Sequence, residues 1–201
     1  MKRLLIRAAA AAALVGLLVA CEAFNTSAEL QFSMEPTGNL GYEVSTTGEI
    51  TITSRNLVFR NAAGEYGLML SSYRIEFYDE NDDPVLAGDN VQLGTLSVFV
   101  PPGIQCDEPD QALGCTLASE GARFAPGPPV VTEAGYQLLP VGIAQAHLLR
   151  AFPGLGDEDG DFVPQRPQPI GWHADITFFG RTAVGSSYTS PIYRVGIAPP
   201  N

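Results

Sequence analysis

Lysine is all but missing from this chain: Lys2 is its only one, and once residues 1–20 are set aside the remaining 181 residues have none. Asp and Glu number 22 against 11 Lys and Arg, a formal charge of -11. So acidic a surface is repelled by phosphate backbones and anionic head groups, which argues against nucleic acid as a partner and against electrostatic membrane binding. Histidine is scarce too, with only His147 and His173. A zinc site takes at least three side-chain ligands, and neither histidine sits in an H-E-x-x-H arrangement. There is no G-x-S-x-G elbow: Gly185-Ser186-Ser187-Tyr188 falls where a turn is expected, and no spacing makes a triad of Ser186, His173 and Asp175. Gly-rich phosphate loops, dinucleotide fingerprints and repeats of solenoid or propeller length are also absent.

What the chain does have is apolar alternation with period two. Leu30, Phe32 and Met34 alternate with Glu29, Gln31 and Ser33, and Ile50 and Ile52 with Glu49, Thr51 and Thr53. The pattern returns at Tyr73, Ile75 and Phe77, at Leu96, Val98 and Val100, at Ala174, Ile176 and Phe178, and at Tyr193, Val195 and Ile197. Each run reads as a strand with one dry face. Segments 40–44, 57–60 and 66–71 add further strands, and 21 Gly and 16 Pro supply turns between them. Residues 138–151 are ambiguous: a short helix from Val141 with Pro140 near its start, or a buried strand with a helical turn, the reading the local pattern leans towards. The expectation is an all-β fold, a β-sandwich of about seven to nine strands with room for one short helix near 141–151. The pattern is similar to immunoglobulin and fibronectin type III domains in architecture alone. Cys106 and Cys115 are too close in sequence to bridge distant strands, and Trp172 follows both.

The N-terminus carries a different message. Lys2, Arg3 and Arg7 precede an uncharged run from Ala8 to Ala20, too short to span a bilayer, which ends in Leu18-Val19-Ala20-Cys21. This stretch resembles the leader and lipobox of bacterial prolipoproteins. The resemblance implies a cleaved signal peptide at residues 1–20 and a lipid-bearing Cys21, acylated on its thiol and its new amine. A diacylated or triacylated cysteine holds a domain stably on a bilayer without crossing it. Glu22, where the enterobacterial form of the family uses aspartate for inner-membrane retention, leans towards the outer membrane, with the domain periplasmic or surface-exposed. Loss of the leader removes three basic groups and moves the formal charge to -14. Residues 21–28 then form a short tether reaching about 25 Å, and residues 29–201 one domain.

Three groups of residues invite chemistry. Cys106 and Cys115, an even pair in an exported chain, suggest a disulfide closing a surface loop. Asp157, Asp159 and Asp161 resemble the first half of an EF-hand loop and point to calcium, but Gly160 stands at the fourth place instead of the sixth and Gln168 occupies the place of the bidentate Glu. A solvated acidic turn explains the composition without a ligand, and Asp79-Glu80-Asn81-Asp82-Asp83 is a second such turn. Tyr78, Phe99 and Phe179 fall on the polar phase of three strands and would form a ring platform for sugar or peptide if those strands were neighbours.

These readings converge on a membrane-anchored cell-envelope lipoprotein acting as a non-enzymatic binding or structural module. Its partners would be the bilayer, through acylated Cys21, and an envelope protein or glycan. A calcium-stabilised adhesive or carbohydrate-binding module and an envelope hydrolase are the alternatives.

Overall fold

The computed structural model describes residues 29–111, 114–152 and 170–200. The strands are β1 (Leu30–Glu35), β2 (Tyr42–Val44), β3 (Ile50–Ile52), β4 (Asn56–Asn61), β5 (Leu68–Tyr78), β6 (Val91–Val100), β7 (Ile104–Gln105), β8 (Arg123–Phe124), β9 (Val130–Val131), β10 (His173–Thr182), β11 (Ser187–Thr189) and β12 (Tyr193–Gly196). One helix, α1 (Val141–Ala151), joins β9 to β10.

Eight of these strands build the sandwich: a three-stranded sheet, β1-β4-β9, and a five-stranded sheet, β11-β10-β5-β6 with β12 also beside β10. All pairings within them are antiparallel, and β11 and β12 share one edge of β10, at Phe179–Arg181 and His173–Ile176. The chain after β1 crosses to the second sheet, where Leu40 makes a parallel bridge with Ile197. The result is an all-β sandwich in which the last two strands, both short, pair with β10 beside β5. The two-stranded ladders β2-β3 and β7-β8 are additions to that frame.

The core lies where the alternating apolar faces of the two sheets meet. Leu57 and Phe59 of β4, Leu70, Ile75 and Phe77 of β5, and Ala174, Ile176 and Phe178 of β10 are buried almost completely. Phe59 meets Phe178 edge to face at 4.9 Å between ring centroids, and Phe32 joins Phe178 at 4.8 Å. Aromatic rings thus bridge the two sheets. Each ring buried here contributes roughly 1.5–3 kcal/mol.

Residues 141–151 form a helix throughout, not the strand with a helical turn that the local pattern favoured. The buried side chains Ile143, Ala144, His147, Leu148 and Ala151 fall on one helical stripe, and Pro140 at the N-cap holds φ at -65°, which starts the helix without needing an N–H. Packing of that stripe against β3 decides what periodicity over a short segment could not. No helix among the described residues is long and apolar enough to cross a membrane.

Candidate functional site

The outer face of the β6-β5-β10 sheet carries exposed apolar side chains among polar ones such as Arg74, Glu76 and Thr95. An antiparallel sheet with one face in the core normally gives its other face to polar side chains. Here Val91, Leu93 and Phe99 of β6 and Met69 of β5 are exposed, Leu93 at 75%. Side chains of Ser72, Leu93, Thr95 and Phe179 line a shallow cleft of about 360 Å³ across the three strands. Two register shifts shape it, one in β5 between Leu70 and Ser72 and one in β10 between Phe179 and Gly180. Gly180 is required there, because a Cβ would lie 2.2 Å from the carbonyl oxygen of Met69.

Tyr78, Phe99 and Phe179 all sit on this outer face, on three adjacent strands, but they do not form one platform. Phe179 is opposite Ser72 in β5, Phe99 is opposite Met69, and Tyr78 is opposite His173. Tyr78 thus lies six residues along β5 from the Phe179 row, about 20 Å away. Phe179 lines the cleft, Phe99 packs beside the close approach at Gly67, and Tyr78 stacks on the His173 ring at 5.6 Å. Leu93, which also lines the cleft, is not among the residues that the sequence singles out. Its signal was an apolar side chain on the solvent phase of a strand, within Val91-Gln92-Leu93-Gly94-Thr95, where mixed phases hide the alternation.

A polar network closes the far end of the same sheet. The Arg194 guanidinium donates to both carboxylate oxygens of Asp175, at 2.9 and 3.1 Å, and also lies 3.0 Å from Asp82. The Asp175 hydrogen bond raises the Arg194 pKa further. His173 Nε2 is 3.2 Å from the same Asp82 oxygen. Asp79 organises the turn by accepting from the backbone N–H groups of Asn81 and Asp83, which hold its carboxyl below the usual range. Glu80 accepts from Trp172 Nε1 at 3.1 Å and from Arg150 at 3.3 Å. Asp79, Glu80 and Asp82 of this acidic turn are therefore engaged with the turn's own backbone, arginines, the indole and His173. Among the described residues no three His, Cys, Asp or Glu side chains are grouped to hold a metal ion.

His147 is wholly buried, with Nδ1 2.9 Å from the Tyr42 hydroxyl and the ring edge-on to Trp172 at 5.3 Å. Its Nε2 has no hydrogen-bond partner, and burial pushes its pKa down to about 4. Burial likewise raises the Tyr42 pKa, so both groups are neutral near pH 7. Ser186 stands in the β10–β11 turn, where its N–H donates to Thr182 Oγ1, at the opposite end of β10 from His173. That separation, eight residues of strand from His173 to Arg181 and about 26 Å, keeps Ser186 from meeting either His173 or Asp175.

The Cys106–Cys115 disulfide closes the loop between β7 and β8, with Cα atoms 5.7 Å apart. Cys21 and the Asp157, Asp159 and Asp161 loop lie outside the described residues. No family model matches this chain, and no curated protein is significantly similar to it.

Proposed function

We propose that the chain is an exported lipoprotein whose β-sandwich is a non-enzymatic binding module of the cell envelope, taking its partner on the outer face of the β6-β5-β10 sheet. The observation that carries this reading is the exposure of Leu93 beside the Phe179 cleft, on a sheet face where polar side chains are the rule. A scaffold of hydrogen-bonded strands holds these residues without a mobile support. The lipobox-like leader supplies the location, since an acylated Cys21 confines the module to a surface and raises its effective concentration for neighbours there. Envelope proteins and glycans both suit a shallow cleft with one aromatic wall and Ser72 and Thr95 hydroxyls.

Two measurements test it. Mass spectrometry of the protein from its host is expected to find a chain beginning at acylated Cys21; a retained Met1 or an unmodified thiol removes the location. A photo-crosslinking residue at position 93 in intact cells is expected to give discrete adducts that Thr95→Arg abolishes. If the same adducts arise from position 149 on α1, the face is not the binding site.

A further inference from the structure

The anchor and the fold together orient the molecule. Glu29 enters the sandwich at the end where its carbonyl accepts from the Ala62 N–H at 3.0 Å, so a lipid on Cys21 is only eight residues, about 25 Å of extended chain, from this end. The loops there form one body. Buried Asn61 donates through Nδ2 to the carbonyls of Tyr66, Val100 and Pro101. Gly64 and Glu65 exchange backbone hydrogen bonds with Gly103, and the Ala183 N–H donates to Gly67. On this shared rim Tyr66, Met69, Phe99, Phe124 and Val184 are 49–66% exposed. Their proximity is direct: a Cβ on Gly64 would lie 3.2 Å from the Phe124 ring, one on Gly67 would lie 3.1 Å from the Phe99 ring, and Met69 is the cross-strand partner of Phe99.

The opposite end is different in kind. Along β5 from Leu68 to Tyr78, about 33 Å, the rim gives way to the turn bearing Asp79, Glu80, Asp82 and Asp83. An apolar rim therefore stands at the end where the chain comes in, and the acidic turn at the other.

We propose that this rim, centred on Tyr66, Phe99, Phe124 and Val184, lies in the interface of the bilayer that holds Cys21 and sets the domain upright with its acidic turn pointing away. The inference rests on the lipid-anchor reading. Aromatic side chains with small apolar neighbours sit well at the head-group boundary, where an apolar face is buried by roughly 5–10 Å. At this end Glu29, Glu65 and Asp107 are offset by exposed Arg123 and Arg181, so the contact rests on the apolar side chains and suits zwitterionic head groups.

The acylated protein, anchored in phosphatidylcholine vesicles with brominated chains, tests this through tryptophan quenching. Val184→Trp and, independently, Phe124→Trp are expected to lose about half of their emission or more, while Leu149→Trp on α1 and native Trp172 keep theirs. A protein that floats with the vesicles but whose rim reporters are quenched no more than Leu149→Trp overturns the inference and leaves the anchor standing. A protein that does not float and carries an unmodified Cys21 overturns both. Concentration-dependent self-association with unquenched rim reporters would assign the rim to a second copy and overturn it as well.

Discussion

The Tyr42 hydroxyl and His147 Nδ1 lie 2.9 Å apart in the core although 105 residues separate them in sequence. This contact ties the chain after β1 to α1, and it makes the fold sensitive to acid. The folded pKa of His147 is about 4 against an ordinary 6.5, so between those values the unfolded chain binds a proton that the native state refuses. Stability therefore falls as pH drops from 6.5 towards 4, by roughly 3 kcal/mol for this one group. Urea midpoints measured across that window should show the decline, and His147→Gln should flatten it. An equally steep decline in the variant would mean that other groups set the acid limit.

Phe59 and Phe178 hold the two sheets together without any covalent link. Phe59 is fully buried and Phe178 nearly so, with rings edge to face. Either Phe→Ala change should cost about 3–5 kcal/mol by equilibrium unfolding. The double variant should fall short of the sum by about 0.5–1.5 kcal/mol, the coupling of an aromatic pair. Strict additivity would show that each ring acts only through its own buried area.

How much of this was legible in the sequence follows from what each residue faces. Strands with one dry face, such as β1, β10 and β12, announced themselves through alternation, and so did the all-β class. The first half of β6 did not, because Val91 and Leu93 are apolar on the solvent side and Gly94 carries no side chain. The irregularity that hid the strand is the same one that makes the candidate binding face. Helix α1 was ambiguous because Val141, Ile143 and their neighbours suit either period, and only the packing of Ile143 and His147 settles it. Tyr78, Phe99 and Phe179 could be assigned to the outer phase, but their distances depend on strand register, which alternation does not encode. The apolar rim was invisible for a similar reason: Tyr66 and Val184 come from two loops and Phe124 from the short strand β8, which only the topology brings to one end.

Asn61 is the buried side chain that fixes those loops. Its amide donates to the carbonyls of Tyr66, Val100 and Pro101, and its residue is fully buried. Asn61→Leu, of similar size, would leave those carbonyls without this donor and should cost about 2–3 kcal/mol. Asn61→Asp should cost at least as much, because it sets a carboxylate against the same acceptors. Hydrogen exchange should localise the loss to segments 62–67 and 100–103 before the sheets respond. A uniform loss of protection would show that Asn61 supports the sandwich as a whole.

The Cys106–Cys115 bridge should behave in the opposite way, as a local brace. It spans nine residues of sequence, so closing its loop restricts the unfolded chain by somewhat under 3 kcal/mol. Neither cysteine lies in either sheet of the sandwich, and the β7–β8 ladder that flanks the bridge is only two residues long on each strand. Cys106→Ser with Cys115→Ser should lower the melting temperature by several degrees while leaving far-ultraviolet circular dichroism unchanged. Proteolysis should then cut first between Gln105 and Arg123, the loop that contains the bridge. Collapse of the β-sheet spectrum on removing the bridge would show that the sandwich depends on this loop, and that Phe59 and Phe178 alone do not hold it.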